Sequence, residues 1–205
     1  MLTDEEICPG RTHLEIARAA IAGGARIVQI RDKNASDRDF YEAAMAIRML
    51  TADAGAVLFV NDRVHIAAAV EADGVNVGQD DIPVSAARGI LGPKAIIGLS
   101  CNCIEQAIEA ENQGADYVGF GPVFPTYTKH DAGPVSGIKT LKLVCEKVKL
   151  PVVAIGGIGA SNIAEVAAAG ATGAAVISAI VCADDMTAAT IELVRRFRGI
   201  VDFRF

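Results

Sequence analysis

Short apolar runs rich in β-branched residues recur over positions 26–30, 56–60, 74–77, 95–99, 116–120, 151–155 and 173–177, and each predicts a strand. Alanine-rich stretches with helical spacing, such as 14–21 and 164–169, lie between them. The strands are nearly continuous in apolar character, as expected of a parallel sheet covered by helices. A related phrase precedes several of them: Gly24-Ala25, Ala72-Asp73-Gly74, Gly114-Ala115-Asp116 and Gly170-Ala171-Thr172-Gly173. Its glycines read as helix C-caps, so the phrase is a weak repeat of βα units.

A doubly wound sheet and a (β/α)8 barrel both fit this alternation, and the polar residues decide between them. A doubly wound sheet gathers functional groups at one switch point, whereas a barrel draws them from the ends of many strands. Here Arg31 and Lys33 follow one strand, Asn61 and Asp62 the next, and Gln79, Asp80 and Asp81 the third. Ser100 and Asn102 follow the fourth, and Thr126, Thr128 and Lys129 lie beyond the fifth. The expected fold is therefore a single (β/α)8 TIM barrel over residues 1–205. An eighth strand has room only at Met1 and Leu2, before Thr3, so the first strand is expected to be very short or missing.

Gln29, Arg31 and Lys33 stand two apart after apolar Ile27 and Val28, which sends all three side chains to one face. Burying unpaired cations is costly, so either the fold or a ligand must bring an anion, and the ligand is the expected source. Two glycine-rich segments, Ile155-Gly156-Gly157-Ile158-Gly159 and Gly173-Ala174-Ala175-Val176-Ile177-Ser178, follow the last two strands. Loops in these places of a barrel often hold a phosphate on backbone N–H groups, and Ser161 is expected to cap the helix after the first. Neither segment has the spacing of a dinucleotide or P-loop motif. The aperiodic stretch 121–137, with Thr126, Thr128, Lys129 and His130, is long enough to cover a site. Asp62 and Asp81 form a candidate hard-cation site suited to Mg2+, with Asp80 as a rival for Asp81; alternatively Asp62 caps a helix.

Composition narrows the setting. A chain of 205 residues with 52% hydrophobic content can bury a large core. No basic-then-apolar leader opens it and no apolar run has membrane-spanning length, so a soluble, cytoplasmic protein is expected. The five cysteines, Cys8, Cys101, Cys103, Cys145 and Cys182, are odd in number and scattered, which predicts reduced thiols. Cys101 and Cys103 lack the partners of a zinc site. A net charge of −6 argues against a nucleic-acid partner without opposing a local anion site. His13, His65 and His130 fall on predicted helices or the loop without evident partners, and no Ser/His/Asp order stands out.

Six phrases in order resemble the thiamine phosphate synthase family from Thr3 to Ala183. They are Val28-Gln29-Ile30-Arg31-Asp32-Lys33, Asn61-Asp62-Arg63, the stretch from Ala72-Asp73-Gly74 to Gly78-Gln79-Asp80-Asp81, Gly121-Pro122-Val123-Phe124-Pro125-Thr126-Tyr127-Thr128-Lys129, Ala154-Ile155-Gly156-Gly157-Ile158 and Val176-Ile177-Ser178-Ala179-Ile180. The resemblance implies a (β/α)8 barrel that joins hydroxymethylpyrimidine diphosphate to hydroxyethylthiazole phosphate, releasing pyrophosphate. It implies that Gln29, Arg31, Lys33, Asn61 and Lys129 bind the diphosphate, with Ser100 near the pyrimidine. By the same resemblance Asp62 and Asp81 hold Mg2+, and Thr126, Thr128, Gly157, Ile177 and Ser178 cradle the thiazole phosphate. Arg31, Lys33, Lys129 and Ser100 are the expected catalytic groups. Partners would be small molecules, with no nucleic acid or membrane, and a homo-oligomer is left open.

Two rival readings carry different expectations. A tautomerase-like paralogue shares the barrel and its terminal phosphate loops, but the Thr126-x-Thr128-Lys129 phrase with both aspartates favours the synthase. A non-catalytic phosphate-binding barrel would follow if loss of the first strand left two edges unpaired.

Overall fold

The computed structural model describes residues 1–128 and 133–198. Lys129 and His130, singled out above, lie outside them. Eight parallel strands run in sequence order, each hydrogen-bonded to the next. They are β1 (Leu2–Thr3), β2 (Ile27–Ile30), β3 (Val57–Asn61), β4 (Gly74–Val77), β5 (Ile96–Cys101), β6 (Tyr117–Phe120), β7 (Val152–Ile155) and β8 (Gly173–Ala175). The intervening helices are α1 (His13–Ala22), α2 (Asp37–Ala54), α3 (Val64–Ala69), α4 (Val84–Leu91), α5 (Ile104–Asn112), α6 (Gly137–Lys147) and α7 (Ile163–Ala168). After β8 come α8 (Ser178–Val181) and α9 (Met186–Arg198). All seven strands expected from the apolar runs are present.

The first strand is short but does its work. Leu2 pairs with Gln29 and Thr3 with Ile30, while the Leu2 N–H donates to the Val176 carbonyl at 3.1 Å on the far side. That bond bridges the seam between β1 and the end of β8, so the open barrel feared from the sequence does not arise.

Alternation along the strands separates two apolar zones. Val28 and Ile30, Leu58 and Val60, Val75 and Val77, and Val118 and Phe120 are almost completely buried, in the layer between strands and helices. The other face fills the barrel. There Phe59 and Tyr117 meet edge to face, with centroids 5.6 Å apart, and this pair closes the floor. Glycines make room for it: a Cβ on Gly74 would stand 2.4 Å from the Phe59 ring, and one on Gly98 would stand 2.0 Å from the Tyr117 ring.

The repeated phrase has its expected origin at three of its four places. Gly24, Gly114 and Gly170 do turn the chain after helices with positive φ, but before β4 that conformation falls on Glu71, and Gly74 sits in the strand. Two of the phrases also carry an aspartate. Asp73 accepts from the Leu58 N–H (2.8 Å) and pairs with Arg48 (2.9 Å); Asp116 accepts from the Ile97 N–H (2.7 Å) and pairs with Arg88 (2.6 Å). Each carboxylate fastens the start of its own strand to the preceding one.

Two further expectations are corrected. Cys8 and Cys182 form a disulfide, with Cα atoms 5.6 Å apart, although Cys101, Cys103 and Cys145 are free thiols. Scatter in sequence could not show that the β1–α1 loop lies against the end of α8. Nor are the described histidines alone: buried His13 bonds Thr3 Oγ1 (2.8 Å) and Asp32 Oδ2 (3.3 Å), and His65 pairs with Asp37 (3.2 Å). No helix among the described residues is long and apolar enough to cross a membrane.

Candidate active site

A cavity of about 420 Å3 opens at the C-terminal ends of the strands, where barrel loops converge. Gln29, Arg31, Lys33, Asn61, Asp62, Asp81, Ser100, Thr126, Thr128, Gly157, Ile177 and Ser178 all line it. Every sequence-predicted site residue among the described ones is thus in one place.

On the β2 side, Gln29 is 9% exposed, and Arg31 and Lys33 line the cavity with it, although β2 ends at Ile30 and both cations stand on the loop that follows rather than on the strand. The fold itself supplies an anion on this side, contrary to expectation: Arg31 Nη1 donates to Asp4 Oδ2 at 2.6 Å. Asp4, from the loop after β1, is 3% exposed.

Asp62 and Asp81 face each other across the ends of β3 and β4. Desolvation, then the neighbouring Asp81 carboxylate, pushes the Asp62 pKa up to about 6, against the opposing pull of Lys33. Asp62 also has φ 59°, a left-handed conformation costly for a residue with a side chain. Its N–H donates to the Asn76 carbonyl at 2.9 Å, which holds it there. The helix-capping alternative fails, since Arg63 occupies the N-cap of α3 and makes no side-chain capping bond. Asp81 accepts from the Gly78 N–H at 2.7 Å, and Asp80 lines the cavity beside it. Two mutually repelling carboxylates fit a hard cation that keeps most of its shell for water and substrate oxygens. No cluster of three or more His, Cys, Asp or Glu able to hold a metal occurs among the described residues.

The floor carries groups that sequence reasoning missed. The Tyr117 hydroxyl donates to Asn76 Oδ1 (3.0 Å), and Asn76 Nδ2 donates to Ser100 Oγ (2.8 Å). With its oxygen accepting from below, Ser100 has its proton available for the cavity. Gln79 Nε2 pins the Ser100 carbonyl at 2.7 Å. An asparagine within the otherwise apolar β4 was the available signal for Asn76. Cys101 also lines the cavity, but burial pushes its thiol up to about 12, with Cys103 adding to the effect, so it stays protonated.

The opposite wall is backbone. Gly156 and Gly157 have φ of 98° and 63°, and a Cβ on Gly157 would lie 2.4 Å from the Pro125 carbonyl oxygen. Only glycine lets the β7 loop pack so closely under the β6 loop. Ser161 does not cap α7 as expected. Asn162 is the organiser: its Oδ1 accepts from the Gly159 N–H and its Nδ2 donates to the Gly157 carbonyl, both at 2.9 Å. Thr126 Oγ1 accepts from the Thr128 N–H at 3.3 Å, folding the β6 loop over this wall with Tyr127 93% exposed between them. Ser178 opens the short α8, whose first bonds run from the Ile180 and Val181 N–H groups back to the Ile177 carbonyl. One side of the cavity therefore offers cationic side chains and carboxylates, and the other offers hydroxyls and turn amides.

Comparison with known proteins gives the chain a family. The family model described as thiamine monophosphate synthase matches residues 1–180. The thiamine-phosphate synthase of Methanospirillum hungatei is 49% identical over 191 residues, covering 93% of this chain and 92% of that protein. The synthase of Methanoculleus marisnigri is 51% identical over 189 residues, covering 92% and 90%. The solved thiamine phosphate pyrophosphorylase from Pyrococcus furiosus superposes with a TM-score of 0.89 at 44% identity, covering 98% of this chain and 95% of that one. Neither the tautomerase-like paralogue nor the non-catalytic barrel finds support among these relatives. Shared identity over nearly its whole length places the chain in the thiamine monophosphate synthase family.

Proposed function

We propose that this site joins hydroxymethylpyrimidine diphosphate to hydroxyethylthiazole phosphate, giving thiamine phosphate and pyrophosphate. The observation that carries the reading is the meeting of Arg31, Lys33 and the Asp62/Asp81 pair with a glycine-walled anion cradle across one cavity. As the bond from the pyrimidine methylene carbon to the diphosphate oxygen breaks, both electrons leave with the diphosphate. Arg31 and Lys33 meet charge that grows in this transition state, which is where binding accelerates reaction. Lys129 belongs to the same group by resemblance. Mg2+, held by Asp62 and Asp81, would supply further positive charge to the leaving oxygens.

The aminopyrimidine ring bears the cation left on its methylene carbon, and the thiazole nitrogen captures it, forming the new C–N bond. No protein nucleophile is required. Ser100 orients the pyrimidine, Gln29 and Asn61 assist on the diphosphate, and Thr126, Thr128, Gly157, Ile177 and Ser178 hold the thiazole phosphate so that its nitrogen faces the reacting carbon. Much of the gain is positional. Both substrates carry several charges and do not cross membranes unaided, which supports a cytoplasmic reaction.

The test is to incubate the purified protein with both substrates, with and without MgCl2, and follow thiamine phosphate and pyrophosphate in equal amounts. Formation of both with the metal, and loss without it, is expected. Absence of either product refutes the reading.

A further inference from the structure

Arg31 meets the cavity with its guanidinium already held from behind. Its Nη1 lies 2.6 Å from Asp4 Oδ2, the two side chains being 11% and 5% exposed. Arg31 lines the cavity and Asp4 does not. The other Asp4 oxygen, Oδ1, accepts from the Glu6 N–H at 3.1 Å, so the carboxylate is itself fixed. For attracting a polyanion by charge alone this pairing is a handicap, because Asp4 offsets part of the Arg31 charge. Its benefit is direction. A guanidinium carries its donors in a rigid plane, and one tied nitrogen fixes where the rest point.

We propose that Asp4 is a positioning residue for the leaving-group half of the site, holding Arg31 so that its remaining N–H donors meet a diphosphate. The inference rests on the diphosphate reading of that half. It also explains why a carboxylate is buried beside a site built for anions. A second brace lies next door: Thr3 and Asp32, the chain neighbours of Asp4 and Arg31, are joined through His13. The strand ends are therefore held independently of the ion pair, and Asp4→Asn is expected to fold.

The experiment titrates inorganic pyrophosphate with MgCl2 into the wild type, Asp4→Asn, Arg31→Ala and the double variant by calorimetry. Rotation of the Arg31 guanidinium is followed alongside by 15N NMR. Asp4→Asn should weaken pyrophosphate binding about tenfold and free the rotation, yet cost nothing further once Arg31 is gone. Unchanged or tighter binding in Asp4→Asn, or the same loss in both backgrounds, overturns the positioning role while leaving the diphosphate reading intact. No uptake by the wild type overturns the diphosphate reading and this inference with it. Should Asp4→Asn fail to fold, Asp4→Glu displaces the charge by one methylene: a several-fold loss is expected, and wild-type affinity overturns the role.

Discussion

Asp62 concentrates three costs in one residue: a left-handed backbone, partial burial of a carboxylate, and a second carboxylate opposite. A residue that served only the fold would be better replaced by glycine, which adopts the same φ freely. Asp62→Gly is therefore expected to raise thermal stability by about 1 kcal/mol while lowering turnover at least a hundredfold, read by calorimetry and by product formation. The pKa near 6 adds a second outcome. Folding makes this group hold its proton more tightly, and that proton has to leave before a cation binds. Mg2+ affinity without substrate should fall as pH is lowered through about 6, with proton release on binding measurable in buffers of different ionisation enthalpy.

At the scale of elements, the β7 loop is shaped by a side chain outside the glycine run. Asn162→Ala removes both bonds to Gly157 and Gly159, and should raise KM for the thiazole phosphate about tenfold while leaving KM for the pyrimidine diphosphate unchanged. Steady-state kinetics with each substrate varied in turn checks this. The strands and their faces were legible because a period of two is local: Gln29 faces the cavity while Val28 and Ile30 are buried on the other side, and Arg31 and Lys33 reach it from the loop just beyond β2. The glycine loops were legible because turns demand glycine. Asn162 was not, since Ser161 before it read as the cap and left Asn162 as an ordinary helix residue. Asp4 was invisible for another reason: its partner lies 27 residues away, and only the pairing of β1 with β2 brings Arg31 to it. The repeat before the strands was legible through glycines that turn the chain after helices, whereas the aspartates of two of its phrases bind across strands, which local spacing does not show.

At the scale of the whole molecule, β1 shows how little strand a barrel needs when its two residues bond on both sides. The layers of Phe59, Tyr117 and the residues around them fill the lower barrel, so the cavity is confined to the end where the loops gather. The disulfide is the feature that the cysteine pattern hid. In the oxidised protein, thiol titration after unfolding should find three reactive cysteines, rising to five on reduction. Reduction should also lower the unfolding free energy by up to about 5 kcal/mol on a chain-entropy estimate for so large a loop, seen as a fall in Tm.

That bond spans 174 positions of sequence, so it encircles the barrel's strands from β2 to β8 within one covalent hoop. A protease that nicks an exposed loop anywhere inside the hoop opens the ring without dividing the molecule. The two pieces would part on a gel only after reduction.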